Sequence, residues 1–263
     1  MSSFPRCGRS SAPDLAPVSS VALTVLFFSA GLRTPLLALM ALRRPRILAL
    51  VLVPYAPALA VNALLGPLLS VDARIGLRAL AVMPGLLFAP LLARSIGGRA
   101  DRAGALVAGT MVVAFALNAL GGAVAFGQLQ NGFLAFVIGA AVVATVPMLP
   151  AAARMLGEIA GYVAFGILAV VSVVSSARDF DPLAFAAGAA LFAAIAGTAA
   201  VAARLMGVEP ASALAGSGSR DVGVATGLAV SAGGPVAAAA PQGFGVLLLV
   251  VAVVLAWNRR KAR

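Results

Sequence analysis

Apolar runs of about 20 residues recur along this chain from Val18 to Trp257, each long enough to cross the ~30 Å hydrocarbon core of a bilayer as a helix. A soluble domain of 263 residues needs a polar skin, and a chain that is 62% hydrophobic and 10% charged cannot supply one. In lipid each spanning segment must satisfy its own backbone polar groups, so the fold class expected is an all-α polytopic membrane protein. Nine spans are expected, at about 18–31, 47–70, 76–97, 103–125, 132–150, 156–175, 183–206, 211–239 and 242–257. Residues 1–17, rich in Ser, Pro and Arg, read as a disordered leader, and 258–263 as a basic cytoplasmic tail. Residues 18–257 then form a single transmembrane domain. Its first spans are separated by a short apolar stretch, 36–42, that reads as lying at the interface.

Orientation follows from the basic residues between spans. Alternate connections carry Arg33, Arg43, Arg44 and Arg46; Arg94, Arg99 and Arg102; Arg154; Arg204; and finally Arg259, Arg260, Lys261 and Arg263, thirteen in all. The opposite set holds five: Arg6, Arg9, Arg74, Arg78 and Arg178. Nine spans therefore put the N-terminus outside and the C-terminus inside a bacterial-type inner membrane. Of 19 basic residues only Arg220 has no place in this scheme.

Residue types narrow the chemistry. The chain has no histidine and a single cysteine, Cys7, so disulfides, His/Cys metal sites and Ser-His catalysis are excluded. Asp221 is the one aspartate expected at membrane depth, too few for a paired-aspartate protease; no enzyme and no cofactor is expected. The net charge of +11 is dispersed through short connections rather than gathered on a nucleic-acid-binding face. Expected partners are a small solute and membrane lipid, with room for a homodimer.

Two spans are interrupted. The third contains Met83-Pro84-Gly85 and then Pro90, and proline removes a backbone donor while crowding the carbonyl four residues earlier, so carbonyls near Leu80 and Leu86 become free to bind. The eighth contains Gly216-Ser217-Gly218-Ser219-Arg220-Asp221, a flexible polar run in an apolar stretch. By the topology above the two run in opposite directions. Interrupted segments at matching positions of two halves point to the solute site of an inverted-repeat carrier, here repeats of about 18–125 and 132–257 with the first helix missing. Two plainer readings stand beside this: Gly216–Asp221 as a solvated loop before a span of its own, and Pro84 and Pro90 as simple kinks in a packed helix.

Three stretches carry a family resemblance: Gly31-Leu32 with Arg43-Arg44-Pro45; Met83-Pro84-Gly85 with Ala103-Gly104-Ala105-Leu106 and Thr110; and Gly218-Ser219-Arg220-Asp221 with Gly227-Leu228-Ala229. Over most of its length the chain resembles the bile acid:sodium symporter superfamily, which also takes in arsenite exporters and auxin-efflux-type carriers. The resemblance implies a core domain with two crossed, broken helices and a panel domain that rocks against it. It places solute on Pro84, Gly85, Gly218, Ser219 and Arg220, and a coupling ion, sodium or a proton, on Thr110, Ser217 and Asp221. The sodium-coupled branch has a Glu-x-Gly-x-Gln-Asn pattern on its second broken helix; here those positions read Gly216 to Asp221, with Arg220-Asp221 for Gln-Asn. The Ser-Asn expected after the first break falls near Ala89-Pro90. Hard sodium wants several oxygens and no neighbouring cation, so these residues argue against sodium coupling in the family's manner. Asp221 is expected to take a proton or to neutralise Arg220, and Arg220 to face an anionic solute.

Other polar positions read as structural. Arg154 and Glu158 are spaced for an ion pair, Asn62, Asn118 and Ser172 for hydrogen bonds between helices, and Trp257 for an interfacial anchor. Tyr55 and Tyr162 are too few for an aromatic cage. A non-transporting membrane subunit, or a relic of the same fold, remains the alternative function.

Overall fold

The computed structural model describes residues 16–33, 43–120, 126–146, 155–157, 159–164, 166–167, 170 and 180–261. The leader up to residue 15, the 36–42 stretch, Arg154, Glu158, Ser172 and Arg178 lie outside the described residues.

Among the described residues the regular structure is entirely helical: α1 (Ala16–Arg33), α2 (Pro45–Leu52), α3 (Tyr55–Leu65), α4 (Val71–Val82), α5 (Ala89–Ile96), α6 (Ala100–Leu120), α7 (Phe126–Thr145), α8 (Pro182–Leu205), α9 (Pro210–Gly216), α10 (Val222–Gly233) and α11 (Ala239–Lys261). Short 3-10 turns, Gly66–Leu68 and Pro235–Ala238, follow α3 and precede α11. Four stretches of the described residues are long and apolar enough to cross a membrane: Pro45–Leu68, Ala100–Leu120, Pro182–Leu205 and Pro235–Lys261. Shorter apolar helices accompany them, among them Val21–Leu32, Gln130–Val143 and Val222–Gly233.

Side-chain size is distributed as a bilayer favours. Large apolar residues point outward along α11, where Val246, Leu249, Val250, Val253 and Trp257 are exposed, while the interior is dominated by alanine. Small residues let helices approach until main chain meets main chain. A Cβ on Gly31 of α1 would overlap the Phe136 carbonyl of α7, and one on Gly188 of α8 would overlap the Ala240 carbonyl of α11. Gly243 of α11 meets the Phe185 carbonyl of α8 in the same way. Two helix pairs, α1 with α7 and α8 with α11, are joined along these seams.

The ends of the helices are fixed locally. Asp181 caps α8 by accepting from the amides of Leu183 and Ala184 at 2.9 and 3.0 Å, with Pro182 at the first helical position, where no donor is needed. Helix α5 stops at Gly97, whose φ of 94° suits glycine, and the Gly98 amide closes back on the Ala93 carbonyl at 2.6 Å. The turn after it is held to α9, because the Arg99 amide donates to Ser212 Oγ at 2.7 Å. Arg102 pairs with Glu209 at 2.6 Å just beside it. Pro241, which falls between the expected spans 211–239 and 242–257, sits inside the first turn of α11 instead. The chain turns earlier, at Gly234 with φ 74°, and Pro241 costs nothing where its missing amide would be unbonded anyway.

Two broken helices organise the centre. Helix α4 stops at Val82 and the chain resumes as α5 at Ala89; α9 stops at Gly216 and the chain resumes as α10 at Val222. The first half of one packs on the second half of the other, α4 on α10 and α5 on α9, so the two run in opposite directions.

Candidate functional site

The first break, Met83 to Phe88, is built from apolar side chains, so anything polar it offers is main chain. The second, Ser217 to Asp221, brings hydroxyls, a guanidinium and a carboxylate. All five of its residues are buried, which rules out the solvated-loop reading.

The breaks meet directly. The Asp221 amide donates to the Pro84 carbonyl at 3.2 Å, and Asp221 Oδ2 accepts from the Leu87 amide at 3.1 Å. Asp221 Oδ1 accepts from the Val224 amide at 3.0 Å, so the same carboxylate caps α10. Gly85 lies so close to Gly216 that a Cβ would overlap its carbonyl oxygen. From behind, Thr110 of α6 accepts from the Gly85 amide at 2.8 Å and donates to its own Val107 carbonyl at 2.8 Å. Two carbonyls expected to be free are engaged: Leu80 accepts from Met83 and Leu86 from Ala89, because the chain tightens into short turns on both sides of the break.

Arg220 is the largest fully buried side chain of the second break, with no surface exposed. Its Nη1 donates to the Ser217 carbonyl at 3.0 Å and lies 3.4 Å from that of Ser219. Its Cζ lies 4.3 Å from the centroid of the Tyr55 ring, a cation–π geometry. The Tyr55 hydroxyl in turn donates to the Thr110 carbonyl at 2.9 Å and approaches that of Met83 at 3.3 Å. Nε and Nη2 of Arg220 have no partner. Those two nitrogens form one edge of the guanidinium plane, the edge that receives a carboxylate or other oxyanion side-on through parallel N–H donors. The expected neutralisation of Arg220 by Asp221 is not seen: both carboxylate oxygens are taken by main-chain amides, one from Leu87 across the junction and one from Val224 in the helix that Asp221 caps.

The sequence matches no known family model and no characterised protein. The site is therefore read from its own atoms.

Of the eight residues singled out in the sequence, Pro84, Gly85, Thr110 and Asp221 form one hydrogen-bonded knot. Ser217 and Ser219 frame Arg220 through their carbonyls, while their hydroxyls donate back to Ala213 at 3.2 Å and Ala215 at 2.5 Å. Gly218 is a packing position: a Cβ there would press on Ala199 of α8 and on Leu214 at 3.0 Å. Tyr55, one of two tyrosines too few for an aromatic cage, lies against the guanidinium of Arg220 and is itself buried. Its signal was a phenol hydroxyl within an apolar run directly after Pro54, where a polar atom at membrane depth has to find a partner.

Proposed function

We propose that this chain is a secondary carrier of a small anionic organic solute, working by alternating access around the junction of its two broken helices. The bare edge of Arg220 carries this reading. Removing a guanidinium from water costs several kcal/mol even after relaxation. A carboxylate would offset that cost, and the one beside it is committed to backbone amides. A charge kept buried and half-bonded at membrane depth is best explained by a ligand that completes it.

In this reading the fold is that of nine spans in two inverted repeats with the first helix missing, resembling the bile acid:sodium symporter superfamily. It sits in a bacterial-type inner membrane with the N-terminus outside. Sodium is not required, because the positive charge at the second break is covalently attached. Asp221 holds the two breaks together.

The test is uptake of a panel of radiolabelled mono- and dicarboxylates and oxyanions into vesicles carrying the purified protein, with and without sodium. At least one anion should be taken up without sodium, and Arg220→Gln should lower that flux by about a hundredfold, the loss of a buried charge-assisted contact. Flux that is the same in Arg220→Gln ends the proposal.

One observation favours a second reading. In the first break Pro84, Gly85 and Leu87 are all bonded to protein atoms, as in a purely structural knot. A non-transporting subunit or relic of the same fold would give no flux with any anion in that panel.

A further inference from the structure

Beyond Tyr55, helices α3, α4 and α6 border an open cavity of about 560 Å³. It is lined by Leu59 and Asn62 of α3, Arg74, Arg78 and Val82 of α4, and Leu117 of α6, among others, with no acidic side chain among its described lining residues. Spacing ties this cavity to the junction. Leu59 and Asn62 follow Tyr55 by four and seven residues, so all three share a face of α3. Arg74, Arg78 and Val82 recur every fourth residue along α4, and Met83 comes next. Leu117 follows Thr110 by seven residues on α6. At 1.5 Å per residue, the nearest lining residues stand roughly 6 Å from Tyr55 and roughly 10 Å from Thr110 along their axes, and Val82 is next to Met83.

Those three residues are the ones joined by the Tyr55 hydroxyl, which donates to the Thr110 carbonyl and approaches that of Met83. These three residues follow the cavity lining inward along α3, α4 and α6, and the Tyr55 ring lies against the guanidinium of Arg220. The walls are basic. Arg74 is fixed by bonds from Nε and Nη2 to the Gly66 and Leu69 carbonyls at 2.8 and 3.4 Å, neutral partners that leave its charge intact. Asn62 adds an amide whose oxygen is buried without a partner. A concave site with one sign of charge and apolar walls concentrates counter-ions.

We propose that this cavity is the approach to Arg220 for a small carboxylate or oxyanion, with Arg74 and Arg78 as its outer station and the Tyr55 hydroxyl as the latch between the two. The assignment deepens the carrier reading and rests on it for the solute's passage, but charge selection in the cavity and the latch can be measured without transport.

Cys7→Ser removes the single cysteine, and Leu117→Cys or Ser217→Cys then places one reporter in the cavity or behind the latch. The full chain in vesicles is treated with a sulfonate-bearing methanethiosulfonate and, separately, with its quaternary ammonium counterpart. Leu117→Cys should react about tenfold faster with the sulfonate, and Arg78→Gln should cut that preference about fivefold, the effect of one unit charge a few ångströms from a passing ion. Ser217→Cys should be nearly inert until Tyr55→Phe, which keeps the ring and removes the hydroxyl, speeds its labelling by about tenfold or more. Equal rates for the two reagents at Leu117→Cys overturn the assignment. So does a Ser217→Cys rate unmoved by Tyr55→Phe while Leu117→Cys, in that background, still reacts as in a folded protein. Should Tyr55→Phe not fold, the sulfonate preference and its dependence on Arg78 decide alone. Vesicles that label as expected but move no anion overturn the carrier reading and leave this one standing; flux without charge selection does the reverse.

Discussion

The two breaks solve the same problem by opposite means. Met83 to Phe88 exposes main chain and lets its neighbours satisfy it: Thr110 takes the Gly85 amide, Asp221 takes the Leu87 amide, and the Pro84 carbonyl receives the Asp221 amide. Ser217 to Asp221 satisfies itself and its partner with side chains, and has one left over, Arg220. The first break is thus a socket and the second a plug. Stability is concentrated in Asp221 and the glycine contact, while the uncompensated charge sits one residue away.

That division can be broken most sharply at Asp221. Asp221→Ala leaves the Leu87 and Val224 amides without acceptors, each worth about 1–3 kcal/mol when buried, so a loss of roughly 4 kcal/mol is expected. The thermal midpoint of the detergent-solubilised protein should fall accordingly, and a drop within the noise of repeat measurements would mean the carboxylate does not join the breaks. Gly85→Ala comes next. Its Cβ has nowhere to go but into the Gly216 carbonyl, and separating the two segments should cost about 2 kcal/mol in the same measurement. The smallest effect has the opposite sign. Arg220→Met exchanges a half-bonded buried charge for an apolar chain of similar length and should stabilise the protein by about 1 kcal/mol while abolishing anion flux. A destabilised Arg220→Met protein would place Arg220 among the structural residues.

How far the sequence foretold this varies with the kind of force involved. Both interruptions were legible because proline and glycine act locally: Pro84 cannot donate, and Gly216 and Gly218 do not favour helix. The long helices that open at Pro45 and Pro182 start within two residues of the expected spans for the same reason. What sequence could not supply was partnership. The Asp221 carboxylate had an adjacent guanidinium, the Val224 amide of its own helix and the distant Leu87 amide to choose from, and only the meeting of the two breaks brings in Leu87. Tyr55 was invisible as a site residue because its value comes from α3 lying over the second break, 165 positions later in the chain. Pro241 misled for a related reason, since the same residue that ends one helix can open the next.

The seams where glycine meets carbonyl, Gly31 on Phe136, Gly188 on Ala240 and Gly243 on Phe185, have a consequence for how such a molecule can drift over generations. A pair of rods held by bulky side chains can exchange one filling for another, but rods that touch through bare backbone have nothing to exchange. Inherited change is therefore steered outward, to the exposed valines and leucines of α11, where one greasy residue serves as well as the next.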